Sequence, residues 1–126
     1  MARSSPYYYK GGEIFGLHYG SFFSDEAALL DLMRAEEDFM ARSHQRLRLW
    51  IDFYETRLTD RILVEFAKSM DRLQAHIIKL AIVGCSWGDS WRLRRLARRS
   101  GIEFAIPIKF FGDPEDAKTW LVSERY

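Results

Sequence analysis

Residues 84–88 read Gly84-Cys85-Ser86-Trp87-Gly88, a G-x-S-x-G pattern between an apolar run and a helical stretch, the setting in which a nucleophile elbow exposes a serine. Acyl transfer at Ser86 needs a histidine to take its proton, and in the α/β-hydrolase chain order that base follows the serine. His18, His44 and His76 all precede Ser86. The pattern therefore reads first as a tight strand-to-helix turn, with a small serine hydrolase a distant third among the functions. Cys85 is ambiguous in the same way. A helix N-terminus lowers a thiol pKa, whereas burial at a strand end makes the thiol inert, and the inert reading is the more ordinary one. The three histidines fall on separate elements without H-x-x-x-H spacing, so zinc has no sequence warrant, and the glycine patterns that cradle phosphates are missing. No cofactor, metal or catalytic group is expected.

Two constellations suit binding better than catalysis. Arg92, Arg94, Arg95, Arg98 and Arg99 share one arc of a helix opposite Leu93, Leu96 and Ala97, with Trp91 among them. Such a cluster can hold phosphates while the indole stacks on a base or sits in a membrane interface; the plainer reading is a solvated face whose arginines pair with acids on neighbouring helices. The second constellation is on a strand. Leu47, Leu49, Ile51 and Phe53 alternate with Arg48, Trp50, Asp52 and Tyr54, so one sheet face is apolar and the other carries aromatics interleaved with charges. His18 or Tyr19, Lys109 and Phe111 are the candidates beside it. With helices on the opposite side this face lacks a complete cover, and it reads as a dimer or ligand surface unless Tyr7 to Tyr9 cover it. Glu36 is odd, because it lies between Leu32, Met33, Phe39 and Met40 on an apolar helical stripe; it is either a buried carboxylate or, more ordinarily, a rim residue reaching water.

The elements that must position these residues follow from periodicity. Tyr7 to Tyr9 and Ile14 to Tyr19 flank a glycine pair and predict an antiparallel hairpin. Ser24 precedes acids and a helical pattern running to about Arg42. After the strand of Leu47 to Tyr54, a stripe from Ile62 to Ile77 predicts a second helix beginning at Thr59 or Asp60. Leu80 to Val83 is a continuous apolar run, consistent with a central strand covered on both sides. A third helix is expected from about Asp89 to Ser100, with Gly101 as its stop. A strand follows from Phe104 to Phe110, and its Pro107 belongs on an edge. Asp113-Pro114-Glu115-Asp116 opens the last helix. The order ββαβαβαβα is an α/β fold in which strands two to five run parallel, strand one is antiparallel, and the helices lie mainly on one face.

The chain has 126 residues, 48% hydrophobic and 29% charged, with 19 Lys plus Arg against 18 Asp plus Glu. That composition excludes disorder and a global basic field, so no nucleic-acid partner is expected, and the length predicts a single domain over residues 1–126. Met1 to Pro6 lack the apolar run of a signal peptide, and no run approaches the roughly 20 residues that span a bilayer, so a cytoplasmic protein that is not transmembrane is expected.

Three stretches carry a family resemblance: Lys79-Leu80-Ala81-Ile82-Val83-Gly84 followed by Trp87, Ile106 to Phe111, and Glu115-Asp116-Ala117-Lys118-Thr119-Trp120-Leu121. Over nearly its whole length the chain resembles the SpoIIAA-like family, within the STAS and CRAL-TRIO-like superfamily. The resemblance implies a β/α superhelix and a non-enzymatic, regulatory role in binding a protein partner or a second copy of itself. In the anti-anti-sigma branch, a serine after an aspartate at the start of the second helix is phosphorylated. Here Arg61 follows Asp60, so the usual phosphosite is missing and Thr59 is the hydroxyl left as a possible acceptor. The CRAL-TRIO branch implies the alternative, a carrier of a lipophilic small molecule.

Overall fold

The computed structural model describes residues 5–126, with side chains from Tyr8 onward, so the leader reading on Met1 to Ser4 and the side chain of Tyr7 fall outside the described residues. In chain order the elements are β1 (Ser5–Tyr9), β2 (Gly12–His18), α1 (Glu26–Ala41), β3 (Leu47–Asp52), α2 (Asp60–Leu73), β4 (Ile77–Val83), α3 (Trp87–Arg99), β5 (Ile108–Phe111) and α4 (Pro114–Val122). The strands form one sheet in the order β1-β2-β3-β4-β5. β1 is antiparallel to β2 and every other pairing is parallel. No described helix is long and apolar enough to cross a membrane.

Local chemistry sets the boundaries. The Asp25 carboxylate, not Ser24, caps α1 by accepting from the Ala28 amide. α3 begins two residues earlier than its apolar spacing suggests, because Ser86 and Asp89 form a reciprocal capping box around its first turn. The strand expected from Phe104 starts only at Ile108. Pro107 has no N–H for the ladder, though its carbonyl still accepts from the Leu80 amide at 3.0 Å, and β5 is the sheet edge that proline predicts. The second helix ends at Leu73, and a 3-10 turn over Gln74–His76 carries Ile77 into β4.

Alternation splits the apolar residues between two faces. Leu17, Leu49, Ile51, Leu80 and Ile82 face one way and are buried with Met33, Phe66, Met70 and Leu93 of α1 to α3. Glu36 is buried in this layer, 1% exposed, which resolves its ambiguity in favour of the interior. On the opposite face Ile14, Trp50, Ala81 and Val83 pack against Ala117, Trp120 and Leu121 of α4. Three helices thus share one face, but the fourth crosses to the other. The expectation of an incompletely covered second face needs correction: α4 is its cover, and Trp50 beneath it is only 7% exposed.

Lys79 anchors that cover. Its side chain is fully buried, and Nζ donates to the Trp120 and Ser123 carbonyls at 2.8 Å each, placing a cation at the negative end of α4. Nζ lies 4.7 Å from the centre of the Trp120 ring and 4.8 Å from that of Tyr126. Burial, reinforced by Arg48, Lys109 and Arg125, lowers its pKa.

α1 and α2 are joined by a two-pronged ion pair in which Arg72 Nε and Nη2 donate to the Glu37 carboxylate at 2.6 and 2.8 Å. The bond from Arg72 holds the Glu37 carboxyl below its ordinary value of 4.5, and burial opposes it. A lowered carboxyl pKa contributes stability that is complete above that ordinary value and is lost as pH falls through the folded pKa. Urea midpoints measured from pH 7 to pH 3 should therefore fall less steeply below 4.5 in Glu37→Gln than in the parent. Parallel curves would show that the pair contributes nothing to acid sensitivity.

Candidate functional site

The parallel strands deliver the loops after β2, β3, β4 and β5 to one end of the sheet, the end at which open α/β sheets bind their ligands. These loops are braced beyond the strands. Tyr19 N donates to Asp52 O at 2.9 Å, Phe53 N to Val83 O at 3.0 Å, Phe23 N to Glu55 O at 2.8 Å and Arg57 N to Phe23 O at 2.6 Å. On this rigid rim several large apolar groups face water. Phe23 is 62% exposed, Tyr54 39%, and Trp87, the first residue of α3, 86%; Trp91 lies one turn along α3 and is also exposed. Scattered apolar exposure is ordinary, but an indole in water with so little cover is not. Charge spacing draws attention to Trp91. In the sequence, the G-x-S-x-G frame makes Trp87 look like part of a turn.

The site residues named from the strand pattern come together around α4. Arg48 Nη1 donates to the Leu121 carbonyl at 2.6 Å. Trp50 takes the His18 ring edge-on at 5.3 Å and the Lys118 ammonium at 5.1 Å. Asp52 turns its carboxylate onto the Tyr54 amide at 2.8 Å, and the Tyr54 hydroxyl donates to the Gly112 carbonyl at 3.1 Å. Phe111 and Lys109 both rest on Trp120, at 5.7 and 5.3 Å. Of Arg48, Trp50, Asp52, Tyr54 and Phe111, Tyr54 is the one that reaches the exposed rim. His18 lies on this face, whereas Tyr19 points into the opposite core, where burial and the nearby Glu36 push its phenol well above the usual range.

The arginines of α3 divide. Arg92 is structural: it pairs with Asp60 at 3.0 Å and Asp89 at 2.9 Å and donates to the Leu58 carbonyl at 2.7 Å. Arg94 stacks on Phe110 and Arg95 on Trp91, at 5.2 and 4.9 Å. Arg98 and Arg99 are exposed.

The hydroxyls have architectural partners. Ser86 Oγ accepts from the Asp89 amide at 3.0 Å, and no histidine bonds it. Thr59 caps α2, donating to Glu26 Oε1 while accepting from the Ile62 amide at 3.2 Å. Cys85 is half-buried, and desolvation with the nearby Asp89 pushes its thiol up to about 12. Thiolate is then about one part in ten thousand at pH 8. A disulfide exchange reagent should label folded protein orders of magnitude more slowly than urea-unfolded protein, and equal rates would show that burial does not protect the thiol.

No family model, curated protein or solved structure matches this chain.

Proposed function

We propose that this protein is a non-enzymatic, SpoIIAA-like module of the STAS type that works by docking another protein on its carboxyl rim and the start of α3. The observation that carries this reading is Trp87, 86% exposed on a helix whose first turn is fixed by a capping box. Tryptophan, tyrosine and arginine dominate binding hot spots; here Tyr54 and Trp87 stand at the braced rim, and Trp91 and the arginines continue from it along α3. Ser86 and Thr59, committed to helix caps, support a binding role over a catalytic or phosphoswitched one. The alternation of strands and helices after an antiparallel hairpin supports the STAS-type part of the reading.

The test is quantitative affinity capture from the native cell with the parent and with Trp87→Ser/Trp91→Ser. Losing a hot-spot indole costs about 2 kcal/mol or more, roughly thirtyfold in affinity, so the proteins retained by the parent should disappear from the double variant while its circular dichroism stays unchanged. Identical capture by both proteins would refute the rim as the docking surface.

One observation favours a second reading, the carrier of a lipophilic molecule. A cleft of about 370 Å³ at the amino end of the sheet is lined by Phe15, Phe39, Met40 and Leu47, with Glu13, Arg42, Ser43 and Gln45 completing it. Phe39, 44% exposed, stacks on Phe15 at 6.1 Å. Native mass spectrometry of freshly purified protein decides this alternative by the presence or absence of a bound hydrophobic mass.

A further inference from the structure

We infer that the outer face of α3 docks an acidic polypeptide segment carrying apolar anchors. The inference rests on the interaction reading above and names the chemistry of the partner. At about 100° per residue, Trp87, Trp91, Arg94, Arg95 and Arg98 fall within an arc of about 100°, opposite the buried Leu93 and Ala97. The stripe is aromatic over its first turns and cationic over its last.

Arg92 shows what a satisfied arginine looks like on this helix, held by two carboxylates and a carbonyl. Among the described residues no acid forms a comparable pair with Arg94, Arg95, Arg98 or Arg99. The whole chain carries a net charge of +1, so the remainder of the molecule has a slight excess of acids and the positive charge is local. A local cationic stripe beside exposed indoles selects an anionic partner with apolar groups.

A groove runs alongside. It has a volume of about 560 Å³ and is lined by Arg94, Arg98, Ile102, Glu103 and Phe104 among others. Ile102 and Phe104 give the groove an apolar lining beside Arg94 and Arg98, and its volume admits side chains rather than a phosphate alone. Glu103 sets the direction, because it repels carboxylates on its side of the groove and leaves the α3 side for them. A symmetric dimer through this stripe would bring two sets of arginines into one interface without carboxylates on the stripe to neutralise them, so a second copy using the same face is disfavoured. A bilayer is disfavoured too, since Leu93 and Ala97 are committed to the core and only the two indoles remain to insert.

The experiment is a selection from a display library of random peptides on the parent protein, with counter-selection on Arg94→Glu/Arg98→Glu. Circular dichroism confirms that the variant is folded. Enriched peptides should combine Asp or Glu with Leu, Phe or Trp. They should bind the parent more weakly as salt rises and lose about tenfold or more in affinity on the charge-reversed variant. Failure to enrich any peptide, or enrichment of peptides that lack acids or bind both proteins equally, overturns the inference. If those peptides still depend on Trp87 and Trp91, the docking surface stands and only the partner's chemistry is wrong. A single-stranded oligonucleotide or phosphatidylserine vesicles binding the parent more tightly than the selected peptides also overturns it, and assigns the stripe to that class instead.

Discussion

Lys79→Ala is expected to lower the unfolding free energy by about 3 to 5 kcal/mol, and Lys79→Met by roughly half as much. The alanine removes a fully buried stem and the ammonium that serves the Trp120 and Ser123 carbonyls. Methionine refills most of the volume but leaves the Ser123 carbonyl without its donor, so the difference between the variants separates packing from hydrogen bonding. Burial of the charge opposes both losses, and the lowered pKa shows its sign. Because the folded protein holds this proton less tightly than the unfolded chain, stability from Lys79 rises with pH through the window below its ordinary value of 10.5. Lys79→Met should lack that alkaline rise. Urea titrations from pH 7 to pH 10.5 measure both quantities. A methionine variant as stable as the parent would mean that desolvation outweighs the two bonds.

Gly84→Ala should be at least as damaging, about 3 kcal/mol or more, and enough to prevent soluble expression if the parent is only ordinarily stable. Gly84 follows β4 at φ +85°, and a Cβ there would lie 2.6 Å from the Tyr54 amide nitrogen and 2.8 Å from the Phe53 carbonyl carbon. These are backbone atoms of the adjoining loop, tied to β4 by the Phe53 bond to the Val83 carbonyl, so they cannot move without breaking the rim. Gly101, at φ +74° after α3, is the control: its Cβ would meet nothing within 4 Å, and alanine there should cost only about 1 kcal/mol. Thermal melts of the two variants should differ widely. Equal melting temperatures would show that positive φ alone, rather than the close approach, sets the cost at residue 84. The comparison also bears on the G-x-S-x-G pattern, since it explains the first glycine by chain crossing without any nucleophile.

The element order could be read from sequence because hydrophobic period is a local property, and each strand and helix here is locally consistent. Lys79 could not. A lysine at the start of an apolar run reads as the last exposed residue before the strand, and its partners are carbonyls more than 40 positions away. The placement of α4 was half legible. Amphipathicity says that a helix has a buried side but not which sheet face receives it; yet Leu80 to Val83, apolar on both faces, already demanded a cover that α1 to α3 could not give from one side. Trp50 reads as an interface residue in the sequence because an aromatic among charges looks the same whether a partner or the protein's own last helix covers it. The exposed Trp87 needed the structure, since helix phase alone cannot distinguish an indole facing water from one folded back over a neighbouring loop.

The crossing of α4 also fixes an order of events during synthesis. All five strands leave the ribosome before the helix that covers the second face, so the nascent sheet can close one side with α1 to α3 while Ile14, Trp50, Ala81 and Val83 still face solvent. Until α4 docks, this second face is the part of the sheet most exposed to aggregation or chaperone capture. A stop codon or slow stretch placed between β5 and α4 should trap a partly native, sticky sheet rather than an unfolded chain.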